Sequence, residues 1–155
     1  MFFRLLAVTA MTAAVLAATS THAAANEAVT NEERAVLAPI QALFDGMAKY
    51  DRDAMLAPVQ PEGSVALLRD GKVVRMTLGD FANHIKPGKD TIQERIHDPL
   101  IRIDGDIAMV WAPYEFLING QVKHCGTDVV NLVRMQGRWL IAGVADNSRS
   151  HCPAR

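Results

Sequence analysis

Between Thr91 and Asp146 the chain breaks only at three short glycine-bearing joints, Asp104-Gly105-Asp106, Asn119-Gly120 and Gln136-Gly137. Turns of this kind join neighbouring antiparallel strands. The spacing therefore predicts strands over residues 91–104, 107–118, 121–135 and 138–146. Upstream, Arg69-Asp70-Gly71-Lys72 separates two apolar runs at 64–68 and 73–77, and Asp-Gly between such runs is a strong short hairpin signal.

A sheet with one apolar face needs a partner, and the sequence supplies one. Thr30-Asn31-Glu32-Glu33 has the form of a capping box, after which Val36, Leu37, Ile40, Leu43, Phe44 and Met47 recur at helical spacing. Pro39 removes one backbone donor, which predicts a kink or a later start. Shorter helices are expected at 52–56 and 78–85. A long N-terminal helix followed by hairpins and a meander implies an α+β domain, a curved antiparallel sheet wrapped around that helix.

Residues 1–25 read differently. Arg4, an uncharged apolar run over 5–18 and small residues ending Thr21-His22-Ala23-Ala24-Ala25 follow the order of a secretory signal peptide, with cleavage after about residue 23–25. The run is shorter than the roughly 20 residues needed to span a bilayer. A single domain over 26–155 is then expected, periplasmic or secreted, with no membrane insertion after cleavage. Removing Arg4 leaves 15 basic against 17 acidic residues. The scattered basic residues do not form a nucleic-acid surface. In an oxidising compartment Cys125 and Cys152 are expected to form a disulfide, two separate thiols being the alternative.

Turn lengths also predict which side chains share a face. If Asn119-Gly120 is a two-residue loop, Glu115 opposes His124 and Trp111 opposes Asp128. A two-residue loop at Gln136-Gly137 sets Ile141 opposite Leu132 and Ala145 opposite Asp128. Trp111, Glu115, His124 and Asp128 then lie with Met109, Val130, Leu132 and Ile141 on one apolar face, the expected pocket lining. Ionisable groups on such a face are either a satisfied network or a site. As a site, His124 oriented by Glu115 or Asp128 could move a proton. Trp111 and Trp139 are expected in the core, Tyr114 on the face opposite His124, and His84 and His97 at the surface or in packing. No metal site is expected, since His124 and Cys125 point to opposite faces of a strand. No phosphate loop or nucleophile elbow is present, so no cofactor is expected.

The stretch Ala108-Met109-Val110-Trp111-Ala112-Pro113-Tyr114-Glu115-Phe116, with Asn119-Gly120 and His124-Cys125-Gly126-Thr127-Asp128, resembles the nuclear transport factor 2-like superfamily, and within it the lumazine-binding-like branch. Leu132-Val133-Arg134, Gly137-Arg138-Trp139-Leu140-Ile141 and the tail Asp146-Asn147-Ser148-Arg149 with Cys152-Pro153 carry the same resemblance. It implies a cone with a pocket at its wide end and homodimerisation through the sheet. The superfamily holds isomerases, dehydratases, epoxide hydrolases, ligand binders and interaction modules, so the resemblance carries no catalytic set onto these residues. Three functions follow as expectations: a binder of a small, mostly apolar ligand; a cofactor-free isomerase or lyase using His124 with Asp128 or Glu115; and a dimeric interaction domain whose cone is plugged by Trp111, Phe44 and Met47.

Overall fold

The computed structural model describes residues 30–152, so the expected signal peptide lies outside the described residues. The first helix, α1 (Asn31–Ala48), starts at the expected box: Glu33 N–H donates to Thr30 Oγ1 (3.1 Å) and Thr30 N–H to Glu33 Oε2 (2.7 Å). It runs through Pro39 without interruption, so the later start does not occur. Val36, Ile40, Leu43, Phe44 and Met47 form its buried stripe. Complete burial of a side chain of this size stabilises by about 1.5–3 kcal/mol.

A short α2 (Arg52–Leu56) leads into β1 (Val59–Arg69), the Asp70-Gly71 turn, β2 (Lys72–Thr77) and α3 (Leu78–His84). The remaining strands are β3 (Ile92–Ile96), β4 (Leu100–Asp104), β5 (Ile107–Ile118), β6 (Gln121–Met135) and β7 (Arg138–Arg149). The single strand expected over 91–104 is thus two. Asp98 adopts a positive φ of 41° and Pro99 follows it, breaking the run; both pieces still pair with β5.

The sheet order is β2-β1-β7-β6-β5-β3, with β4 also on β5. It is a curved, unclosed sheet in which every pairing is antiparallel except β1 with β7, which run parallel. The first and last strands are therefore neighbours. Val65, Ile101, Ala108, Val110, Ala112, Val130, Leu132 and Ile141 project from one sheet face onto α1 and complete the core.

One glycine is fixed by close approach. A Cβ at Gly126 would fall 1.7 Å from the Asn147 carbonyl oxygen and 2.6 Å from a Tyr114 ring carbon. Its absence lets the Tyr114 ring lie across β6 and reach β7.

Cys125 and Cys152 form a disulfide, with Cα atoms 5.8 Å apart and a sequence separation of 27. It ties the segment after β7 to β6. Closing a loop of this length restricts the unfolded chain, which is worth about 3 kcal/mol. The double variant Cys125→Ser, Cys152→Ser is expected to lose about that much stability in urea denaturation; an unchanged midpoint would show that the bridge contributes nothing.

Candidate functional site

Two single-residue slips decide what faces the interior. Beyond the Asn119-Gly120 turn, Ile118 and Leu117 pair with Gln121 and Val122 as expected, but Phe116 then pairs with His124, leaving Lys123 as an extra residue. In β7, Ile141 pairs with Leu132 as expected, but Asn131 then pairs with Gly143, so Ala142 is extra. Each bulge moves the partner strand by one, and a one-residue shift exchanges its two faces.

The first slip overturns two expected pocket residues. Glu115 pairs with Cys125 instead of His124 and points to the outer face, where Oε2 lies 3.2 Å from Nε2 of His97. Trp111 also faces outward, 42% exposed, beside its cross-strand partner Leu100. It belongs to neither core nor pocket. Tyr114, expected outside, is inside and 1% exposed. His124 and Asp128 keep the inner face, and the second slip sets Asp146 opposite Asp128 where Ala145 was expected. Trp139 is buried as expected, its indole N–H donating to Glu32 Oε1 (3.1 Å).

Tyr114, His124, Asp128 and Asp146 line a cavity of about 190 Å³. Its walls are apolar, among them Leu43, Phe44, Met47, Phe81, Phe116 and Val144, and its polar groups are Arg69, Glu94, Tyr114, His124, Asp128 and Asp146. Phe44 and Met47 form walls and leave the space open. Arg69 and Glu94 were missed in the sequence. Arg69 looked like a turn residue, whereas Glu94 alternates with Ile92 and Ile96 on one strand face, a signal that could have found it.

Arg69 grips Asp146 with both terminal nitrogens, Nη2 to Oδ2 at 2.6 Å and Nη1 to Oδ1. The Tyr114 hydroxyl lies 3.2 Å from the Asn147 carbonyl oxygen, 3.2 Å from His124 Nδ1 and 3.4 Å from Asp146 Oδ2. With one proton, it donates to one of these and can accept from the ring of His124. That ring stacks on Phe116, centroids 4.8 Å apart.

Burial governs the protonation states. It lowers the His124 pKa, with Arg69 adding to the effect, so the ring is neutral at neutral pH. Burial and then the charge of Asp146 raise the pKa of Tyr114, which keeps its proton. Asp128, 3% exposed, is pushed up to about 7, chiefly by burial and then by Asp146. Glu94 is raised well above the usual carboxyl range by burial and by Asp128, with which it shares a hydrogen bond. Two carboxyls this close each disfavour ionisation of the other. Among the described residues, no three His, Cys, Asp or Glu side chains converge to hold a metal ion.

Unfolded, Asp128 ionises near its model value of 3.8; folded, near 7. As pH rises from about 4 to 7 the unfolded chain therefore gives up a proton that the native state retains, and stability falls, levelling off above. The contribution is on the order of 4 kcal/mol. Asp128→Asn should flatten the fall in a series of denaturation curves taken across that range, and a wild-type profile already flat there would refute the raised carboxyl.

Residues 31–144 match the family model described as "Putative lumazine-binding". Similar solved structures include a nuclear transport factor 2-like protein of unknown function from Silicibacter pomeroyi, 20% identical, with a TM-score of 0.60 over 76% of this chain and 97% of that one. Another, a nuclear transport factor 2-like protein from Cytophaga hutchinsonii, is 14% identical, with a TM-score of 0.65 over 77% of this chain and 100% of that one. A cystatin-like fold protein of unknown function from Nostoc punctiforme is 9% identical, with a TM-score of 0.64 over 81% and 97% respectively. At such identities the likeness shows the fold. No curated protein matches the chain in sequence.

Proposed function

The chain belongs to the family described as "Putative lumazine-binding", on a nuclear transport factor 2-like fold, and from that footing we propose that it is an exported domain that binds a small, mostly apolar ligand in the cavity under its sheet. One observation carries the reading: an apolar chamber of about 190 Å³ whose polar groups gather at one end. Apolar walls supply affinity and a few convergent polar groups fix orientation, which is how small-molecule sites are built. The volume is below the roughly 300–1,000 Å³ that suits drug-sized ligands, so the occupant is smaller. Lumazine is the ligand in the family's description, and it is a candidate on that ground.

The setting of Asp128 supports a site over a structural network: it lines the cavity, and burial pushes its carboxyl up to about 7, a perturbation that marks functional sites. Export is supported by the Cys125–Cys152 disulfide. It is also compatible with the finding that no helix among the described residues is long and apolar enough to cross a membrane. A homodimer through the outer sheet face is supported by Leu100 and Trp111, cross-strand neighbours 43% and 42% exposed there.

Native mass spectrometry of the protein recovered from its own cells should reveal an added small-molecule mass on a dimer. Val144→Phe, which places a ring in the cavity, should remove that mass. A bare chain that also binds no small aromatic probe would sink the proposal.

A second reading has one observation in its favour. A carboxyl that titrates near 7 inside an apolar cavity is poised both to give and to take a proton, as a cofactor-free isomerase or lyase requires. Asp128 and Glu94 then carry the proton in place of the expected pairing of His124 with Glu115, which lies across the sheet. With the co-purified molecule as substrate, Asp128→Asn should lower kcat by about 100-fold or more with little change in KM. Equal kcat in the variant would leave binding as the whole function.

A further inference from the structure

The polar end of the cavity is assembled from strands that each bring a charge or a hydroxyl: Arg69 from β1, Glu94 from β3, Tyr114 from β5, His124 and Asp128 from β6, and Asp146 from β7. Acids outnumber bases there by three to one, since His124 is held neutral. The one permanent cation is already committed. Arg69 spends both terminal nitrogens on Asp146, and Nη1 also reaches the Leu68 carbonyl oxygen at 3.1 Å.

An anionic ligand would therefore meet Asp128 and Glu94 with no free countercharge in a chamber that excludes much of the water. A neutral ligand would gain only hydrogen bonds. A cation would find Asp128, 3% exposed, with Glu94 beside it, and the rings of Phe44, Phe81, Phe116 and Tyr114 around it. Aromatic faces attract cations, more strongly when water is excluded. The walls are mostly hydrocarbon and aromatic, and among the described residues no three His, Cys, Asp or Glu side chains converge on a point, which favours an organic cation with an apolar body.

Resting on the ligand-binding reading above, we propose that the cavity selects small apolar amines in their protonated form, with the ammonium seated against Asp128 and Glu94. Its charge takes the place of the proton that Asp128 carries below about pH 7. Binding therefore expels a proton to solvent, and affinity rises with pH through the range in which Asp128 ionises.

Three probes of one shape test this: benzylammonium, benzyl alcohol and benzoate. Titration calorimetry at about pH 8 should rank benzylammonium at least about tenfold tighter than benzyl alcohol, with benzoate weakest. Repeating the benzylammonium titration at about pH 6, where Asp128 still carries its proton, in buffers of different ionisation enthalpy should reveal proton release. Its affinity should fall on going to about pH 6 while that of benzyl alcohol stays level. Asp128→Asn and, independently, Glu94→Gln should each bring the ratio of the amine and alcohol affinities toward one. Equal affinity for amine and alcohol, or tightest binding of benzoate, would overturn the charge selectivity and leave the ligand-binding reading intact. No binding of any probe at millimolar concentration would overturn both.

Discussion

Everything in this domain depends on one curved sheet face being wide enough to cover the apolar stripe of α1 and still leave space beside it. Val36, Ile40 and Leu43 seat the helix against Val110, Val130, Leu132 and Ile141. Ile40, Leu43, Phe44 and Met47 also line the cavity, which the sheet completes with Val65, Val130, Ile141 and Val144. Strand twist and bulges supply the curvature.

The two bulges are also why the fold was more legible in the sequence than the site. Glycine turns at Asn119-Gly120 and Gln136-Gly137 announce strand order and hold the register next to each turn. Nothing in the residue pattern marks Lys123 or Ala142 as extra, because each sits in an ordinary extended run. Yet each reverses the facing of what lies beyond it. Glu115 and Trp111 were lost to the interior in this way, and Tyr114 and Asp146 gained. His124 and Asp128 were placed correctly because they share a strand with each other and with Val130, and a slip in the partner cannot separate them. Glu94 was readable from its own alternation with Ile92 and Ile96. Arg69 was not, since its role appears only when β1 is set beside β7.

Electrostatics then follow from where those residues lie. A surface Asp-Arg pair would contribute little. Here Arg69 and Asp146 form the one full ion pair at the polar end, and its negative partner lies close enough to raise both Tyr114 and Asp128. Burial is the larger cause at Tyr114, His124 and Asp128, and the ion pair adds to it: Asp146 raises Tyr114 and Asp128, and Arg69 lowers His124. The family resemblance gives the cone, whereas the chemistry within it comes from the side chains this particular register delivers.

The parallel pairing of β1 with β7 carries a consequence of another kind. Arg69 and Asp146 come from the first and last strands, so the pair cannot form until nearly the whole chain is available. A folding chain can assemble α1 and the first hairpin from local contacts, but the polar end of the cavity waits until β7 pairs with β1. A chain that folded without β7 would lack Ile141, Val144 and Asp146, and with them one wall of the cavity and the partner of Arg69.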